Sequence, residues 1–360
     1  MIEKRIIIIS QPIRTGKTTA LMDKISRDVS CDGVLTPDLN GIRKLLMIQS
    51  RRLIDFEKQP DDNTLSVGRF HFSESVFQTA IDYLNNIRPA SGTDIIIDEI
   101  GKLELRGEGF HQALLHQLEL VRRPESSHRL ILVVRDSLLD QVMSAYSIQE
   151  ASILTIKEFL PEFELKRNIP LSGIILCGGE SARMGTDKSF LRYHSTEQYR
   201  HLAQLFSSLE IPVLISCNEQ QKNKFEQGYE LIVDDREFGF NGPITGLLSV
   251  HKKYPGHSFI LVGCDYPLLE KEHIQILTSM TDFGFDAVCF VGSSPFSVNE
   301  PLVTYYSNAF LKKLHDFFLS GNTSIKKLLD VSNTLQIIME KETFLRSFDT
   351  PEDFHSFHQK

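Results

Sequence analysis

Residues 6–9 are four consecutive isoleucines, and no other feature limits the possible folds of this chain so strongly. A β-branched apolar side chain at every position leaves no polar face. The segment is therefore predicted to be a strand buried on both sides, as in a parallel sheet covered by helices. The next residues narrow the choice further. Gln11-Pro12-Ile13-Arg14-Thr15-Gly16-Lys17-Thr18 nearly matches the pattern GxxxxGK(S/T), and a helical stretch runs on from Thr18 to Val29. A strand, such a loop and a helix N-terminus bring backbone N–H groups and a helix dipole together on one anion, a phosphate. In that pattern Gly16, Lys17 and Thr18 bind nucleotide: the lysine reaches the terminal phosphates and the threonine hydroxyl holds Mg²⁺. Gln11 stands where the pattern has its first glycine.

Apolar runs recur at Ile95–Ile97 and Leu130–Val134, with helical patterns such as Phe110–Arg122 between them. Strands alternating with helices predict an α/β fold with a doubly wound sheet. Periodicity breaks between Phe159 and Pro170, which include Pro161, Lys166 and Arg167. The expected domains are 1–165 and 168–360. In the second, strands are expected at 173–177, 212–216, 231–233, 259–263 and 287–291.

The chain has 360 residues, room for about two domains of ~150 residues. With 39 Lys+Arg against 47 Asp+Glu, its formal net charge is −8. No broad basic face is possible, which argues against nucleic acid as a partner. No segment approaches the ~20 apolar residues of a membrane helix, and the opening residues lack a signal-peptide layout. The five cysteines are widely spaced without a CxxC pair, so neither structural zinc nor a disulfide framework is expected. The expectation is a reduced, cytoplasmic enzyme.

Asp98-Glu99 closes the apolar run Ile95–Ile97. A carboxylate at the end of a buried strand suits Asp98 to serve the Mg²⁺ site, and Glu99 to orient or deprotonate an attacking water. Asp98-Glu99-Ile100-Gly101-Lys102-Leu103-Glu104-Leu105 resembles the DEIGxMEL signature of the THEP1-type nucleoside-triphosphatases. Val67-Gly68-Arg69-Phe70 is similar to that family's VGxY element. The segment Gly33–Glu57, with Arg43 and Arg51-Arg52, looks like its stretch after the P-loop helix. The resemblance implies a P-loop NTPase domain that hydrolyses nucleoside triphosphates slowly and with loose base choice.

A second glycine loop, Leu176-Cys177-Gly178-Gly179-Glu180-Ser181-Ala182-Arg183-Met184-Gly185-Thr186-Asp187-Lys188, comes after the strand at 173–177. Adjacent glycines let backbone approach a nucleotide closely. Arg183 and Lys188 add the positive charge that a departing pyrophosphate needs. The glycines fit neither GxxxxGK nor GxGxxG. They resemble the LxGGxSxRMGxDK signature of the MobA family of molybdenum cofactor guanylyltransferases. Asp234-Asp235 before Gly242-Pro243-Ile244-Thr245-Gly246-Leu247 is similar to its D…GPLxGL, Cys264-Asp265-Tyr266-Pro267 to its CDxP, and Ser347–Asp353 to its closing NxNTPED.

This resemblance implies a Rossmann-like nucleotidyltransferase that joins GMP from GTP to the molybdopterin cofactor. Lys188, Arg183 and Asp265 would be catalytic, and Asp265 the Mg²⁺ ligand. Leu176, Gly178, Gly179, Lys188, Ser216, Asp235 and Asp265 would bind the nucleotide. Asp349 is read as a helix cap before Pro351. A molybdoenzyme that accepts the finished cofactor is the protein partner implied. Two alternatives stand beside this reading: cytidylyl transfer to the same cofactor, and a nucleotide-sensing scaffold that delivers it.

Overall fold

The computed structural model describes residues 4–61, 63–163, 169–178, 186–292, 297–339 and 341–358. The chain divides into two units, Met1–Lys166 and Arg167–Lys360. The first runs β1 (Ile6–Gln11), α1 (Lys17–Arg27), β2 (Cys31–Leu35), β3 (Asp38–Leu39), β4 (Ile42–Met47), β5 (Arg52–Asp55), β6 (Thr64–Val67), β7 (Phe70–Ser73), α2 (Glu74–Asn86), β8 (Asp94–Ile100), α3 (Lys102–Leu105), α4 (His111–Arg122), β9 (Arg129–Arg135), α5 (Leu139–Ala145), β10 (Ser152–Leu154) and α6 (Ile156–Phe159).

Its strands lie in the order β10-β1-β9-β8-β2-β4-β5. Those from β10 to β2 are parallel, whereas β4 and β5 are added antiparallel. The four isoleucines of β1 are at most 6% exposed, as expected of a strand covered on both faces. Helix α1 begins after Gly16, whose φ of 78° is one that side chains resist and glycine accepts. Its last turn carries Lys24 and Arg27, which suit the negative end of the helix dipole. The carboxyl ends of β1 and β8 thus present the loop 12–16 and Asp98 at one edge of the sheet. A separate hairpin, β6–β7, carries Gly68 and Arg69 at its turn.

The second unit runs β11 (Leu171–Leu176), α7 (Gln198–Ser207), β12 (Val213–Cys217), β13 (Glu230–Val233), α8 (Pro243–Lys253), β14 (Ser258–Gly263), α9 (Lys271–Ser279), β15 (Ala287–Val291), β16 (Asn299–Tyr306), α10 (Asn308–Leu319), α11 (Ile325–Val331), β17 (Thr334–Ile338) and α12 (Pro351–Phe357). Its strand order is β17-β15-β16-β14-β11-β12-β13, all parallel to their neighbours except β16. Helix α8 starts with Pro243 at its first position, where a missing N–H costs nothing. Ile244, Leu247 and Leu248 pack it onto Ile174, Leu214 and Ile232 of the sheet. In such sheets the strand carboxyl ends form the binding edge. Among the described residues no helix is long and apolar enough to cross a membrane.

Candidate active site

In the first unit, the strand-to-helix loop folds around its own lysine. Lys17 Nζ donates to the carbonyls of Gln11 at 3.0 Å and Pro12 at 2.8 Å, and burial holds its ammonium below the ordinary lysine range. Thr18 Oγ1 donates to Asp98 Oδ2 at 3.0 Å, and the same oxygen accepts from the N–H and hydroxyl of Thr36. Asp98 is fully buried. Burial, and then the charge of Glu99, raise its pKa. Three donors on one oxygen keep so deeply buried a carboxylate tolerable. Glu99 has a φ of 60°, a conformation costly for a side-chain residue and found most often at functional sites. Its carboxylate is held by Arg43 at 2.9 Å and Arg135 at 3.3 Å. The structure therefore brings Lys17, Thr18, Asp98 and Glu99 together. Gln11, at the position of the missing glycine, has a use of its own: its Oε1 accepts from Ile156 N at 2.9 Å.

In the second unit, a cavity of about 160 Å³ lies at the carboxyl ends of β11 and β14. Leu176, Gly178, Lys188, Asp234, Gly246 and Asp265 are among the residues that line it. A methyl group on Gly178 would lie 2.9 Å from Asp234 Oδ2, so the glycine keeps the cavity open. Gly246 sits in the first turns of α8. A Cβ there would stand 2.5 Å from Ser216 Oγ and 2.6 Å from Leu176 Cδ1. Lys188 is ion-paired with Asp349. Burial pushes the carboxyl of Asp265 up to about 6, against the opposing charge of Lys188. Asp234 is likewise pushed up to about 6, mainly by burial. In the cavity wall, Cys177 and Cys264 bring their buried sulfurs to 3.2 Å. Gln221 steadies the loop, donating to Cys177 O and Asp187 Oδ2, both at 2.7 Å.

Of the residues expected to bind nucleotide here, Leu176, Gly178, Lys188 and Asp265 line the cavity. Ser216 is fully buried beneath it, against Gly246. Gly179 and Arg183 lie outside the described residues. Asp235 is not a lining residue. Its carboxylate pairs with Lys252 at 2.6 Å and accepts from Glu237 N at 3.0 Å, capping a short turn. The preceding Asp234 is the one that faces the cavity. Asp349 does not cap α12 directly, since Thr350 takes that role and Asp349 holds Lys188. Phe240, 99% exposed, stands two residues before the lining Gly242. Sequence reasoning misses Asp234, Gln221 and Phe240, although Asp234 is readable as the residue that follows β13.

Comparison with known proteins agrees with the two-unit layout. Residues 6–159 match the family model described as NTPase, and residues 173–337 match the MobA-like NTP transferase domain. The chain is 24% identical over 195 residues to a probable molybdenum cofactor guanylyltransferase of a Geobacillus strain; the match covers 51% of this chain and 96% of that one. It is 26% identical over 188 residues to the molybdenum cofactor guanylyltransferase of Pseudomonas entomophila, covering 51% of this chain and 96% of the relative. Among solved structures, molybdopterin-guanine dinucleotide biosynthesis protein A of Archaeoglobus fulgidus aligns with a TM-score of 0.44 and 19% identity, over 52% of this chain and 97% of its own. The chain thus joins two α/β units, the first matching the NTPase family model and the second the MobA-like NTP transferase domain.

Proposed function

We propose that the second unit transfers GMP from GTP to molybdopterin with release of pyrophosphate, and that the first binds and hydrolyses a nucleoside triphosphate. We assign these activities to residues 168–360 and 1–165. One observation carries the transferase reading: Gly178, Lys188 and Asp265 surround a single cavity at the carboxyl edge of β11 and β14. The names of the relatives favour guanylyl over cytidylyl transfer.

The nucleophile in this reading is a phosphate oxygen of molybdopterin, already ionised at neutral pH, so no general base is needed. Catalysis then rests on positioning and on charge neutralisation. Gly178 lets the backbone approach the nucleotide. Lys188 exchanges Asp349 for the phosphates and balances the charge that grows on the departing pyrophosphate. Arg183 would add to it. Asp234 is placed to meet the ribose or base side, the role expected of its neighbour Asp235.

The donors suit Mg²⁺, which takes one or two carboxylates alongside phosphate oxygens. Asp265 is buried enough that its charged form needs a cation beside it. In the first unit Thr18 and Asp98 offer hard oxygens of the same kind. When bound, Mg²⁺ supplies charge neutralisation at the phosphates. Glu99, fixed by two guanidiniums, is placed to orient the water that attacks the terminal phosphate.

The test is to incubate the full chain with molybdopterin, Mg²⁺ and GTP or CTP, and identify the product by mass spectrometry. A GMP adduct with pyrophosphate is expected, and Asp265→Ala should abolish it. A CMP adduct would reassign the base. Absence of pyrophosphate with either nucleotide would leave a binding scaffold.

A further inference from the structure

The first unit contains a cavity of about 240 Å³ that reaches Glu99 and Thr36 at one end and is otherwise lined by residues that NTP hydrolysis does not need. Its walls are aromatic: Phe56, Phe70, Phe72, Phe77 and Phe110. The rings of Phe72 and Phe77 each lie 4.7 Å from that of Phe56, and Phe110 lies 5.0 Å from Phe77. Part of this wall comes from the β6–β7 hairpin, whose turn bears the Val67–Phe70 element. Phe56, Phe77 and Phe110 are buried and form the floor, while Phe70 and Phe72 are partly open, and such a wall suits a flat, apolar ring system.

The cavity is also charged. Arg43 and Arg135 line it, and both are tied to Glu99. Arg69 and Lys102 line it too, and neither is in an ion pair among the described residues. The guanidinium of Arg69 lies 5.0 Å over the Phe70 ring. Two uncommitted cations next to an aromatic wall call for a ring that carries an anionic group.

The location indicates which step such a ligand serves. Thr36 lines this cavity and donates to Asp98 Oδ2, the oxygen that also accepts from Thr18. In a P-loop the lysine and threonine mark the β,γ end of the triphosphate. A molecule in the cavity therefore meets the terminal phosphate and not the base.

We propose that this cavity is an acceptor site for a nucleoside monophosphate, whose base packs among the phenylalanines and whose phosphate meets Arg69 and Lys102. The first unit then passes the terminal phosphoryl group of a nucleoside triphosphate to it. An ionised oxygen of the monophosphate bonds to the terminal phosphorus. The bond from that phosphorus to the bridging oxygen breaks, and its electron pair leaves with the nucleoside diphosphate. Two diphosphates result. No proton has to be removed, because a phosphate monoester with a second pKa of about 6 is mostly dianionic at neutral pH. The proposal rests on reading residues 11–18 as a triphosphate loop.

The chain contains no tryptophan, so Phe70→Trp in the full chain places one fluorophore in the cavity wall. Saturable quenching by AMP, GMP, CMP or UMP is expected. Guanosine and ribose 5-phosphate should bind roughly tenfold more weakly, since each lacks one half of the recognised group. Adding Arg69→Ala and Lys102→Ala should weaken the monophosphate to the same degree. With γ-labelled ATP, the unmodified chain should place label in the acceptor's diphosphate. Label found only in inorganic phosphate with every monophosphate would overturn the proposal. So would the absence of binding at millimolar monophosphate, confirmed by dialysis on the unmodified chain in case the tryptophan variant misfolds. Binding of labelled ATP, lost in Lys17→Ala, reads the phosphate loop separately, so a failed loop and a failed acceptor site give different results.

Discussion

The ammonium of Lys188 is ion-paired with the carboxylate of Asp349, which lies 161 residues further along the chain. The loop after β11 and the segment before α12 thereby meet at the mouth of the nucleotide cavity. A triphosphate must take the lysine from that carboxylate. Lys188→Ala is therefore expected to lower turnover by about 10²-fold, the usual loss for one preorganised charge contact in a transition state. Its effect on the KM for GTP should be smaller. Steady-state kinetics decide this, and a change confined to KM would make the lysine a binding group only.

Gly246→Ala should damage the same cavity by a steric route. The added methyl would press on the fully buried Ser216 Oγ and on Leu176 Cδ1 in the cavity wall. Overpacking of this kind costs about 1–3 kcal/mol. Urea denaturation should show that loss, and equilibrium dialysis should show weaker GTP binding.

Asp234 makes stability depend on pH. Burial pushes its carboxyl up to about 6, from an ordinary value of 3.8. Below about pH 4 the carboxyl is protonated in both folded and unfolded chains, and its favourable contribution is complete. Between about 4 and 6 the folded chain keeps a proton that the unfolded chain releases. The contribution is lost as pH rises through that window. Discounted for partial exposure, the loss is at most about 2 kcal/mol. Asp234→Asn should match the unmodified chain near pH 4 and exceed it at pH 7. Equal differences at both pH values would refute the assignment.

Phe240 presents a bare aromatic face beside the cavity. Stacking of a base or a pterin on such a ring is worth about 1–3 kcal/mol. Phe240→Ala should raise the KM for one of the two substrates by roughly tenfold and leave kcat nearly unchanged. Varying each substrate in turn identifies which one the ring holds.

Each nucleotide site draws on residues of its own unit. Lys17→Ala should therefore abolish NTP hydrolysis and spare guanylyl transfer, and a fragment of residues 168–360 should remain active. Loss of transfer in either case would mean that the first unit drives the second.

The parallel strands were readable because continuous β-branched and apolar runs have few alternatives. Ile6–Ile9, Ile95–Ile97 and Leu130–Val134 all became central strands. The antiparallel strands β4 and β5 were not readable, since Arg43 and Lys44 interrupt the pattern with charges whose partners, Glu99 and Asp55, lie elsewhere in sequence. The same limit applies to the sites. Short motifs located Thr18 and Asp98 separately, but only folding joins them. Sequence alone also could not choose between Asp234 and Asp235. The N–H of Asp234 continues the ladder by donating to Cys217 O, which leaves its side chain at the cavity, while the next residue turns away to cap.

The hydrogen bond from Ile156 N to Gln11 Oε1 bears on how the first unit comes into being. Strand β1 is made first, yet its neighbours in the sheet are β9 and β10, the last strands of the unit. Until β9 has been made, β1 has no partner at either edge, and until Ile156 has been made, Gln11 Oε1 has no donor to accept from. Within this unit the phosphate loop is thus synthesised before the strands that complete it and is among the latest segments to become native. A nascent chain can take up nucleotide only once almost the whole unit has emerged, and arrest-peptide fusions of increasing length would show this as a late step.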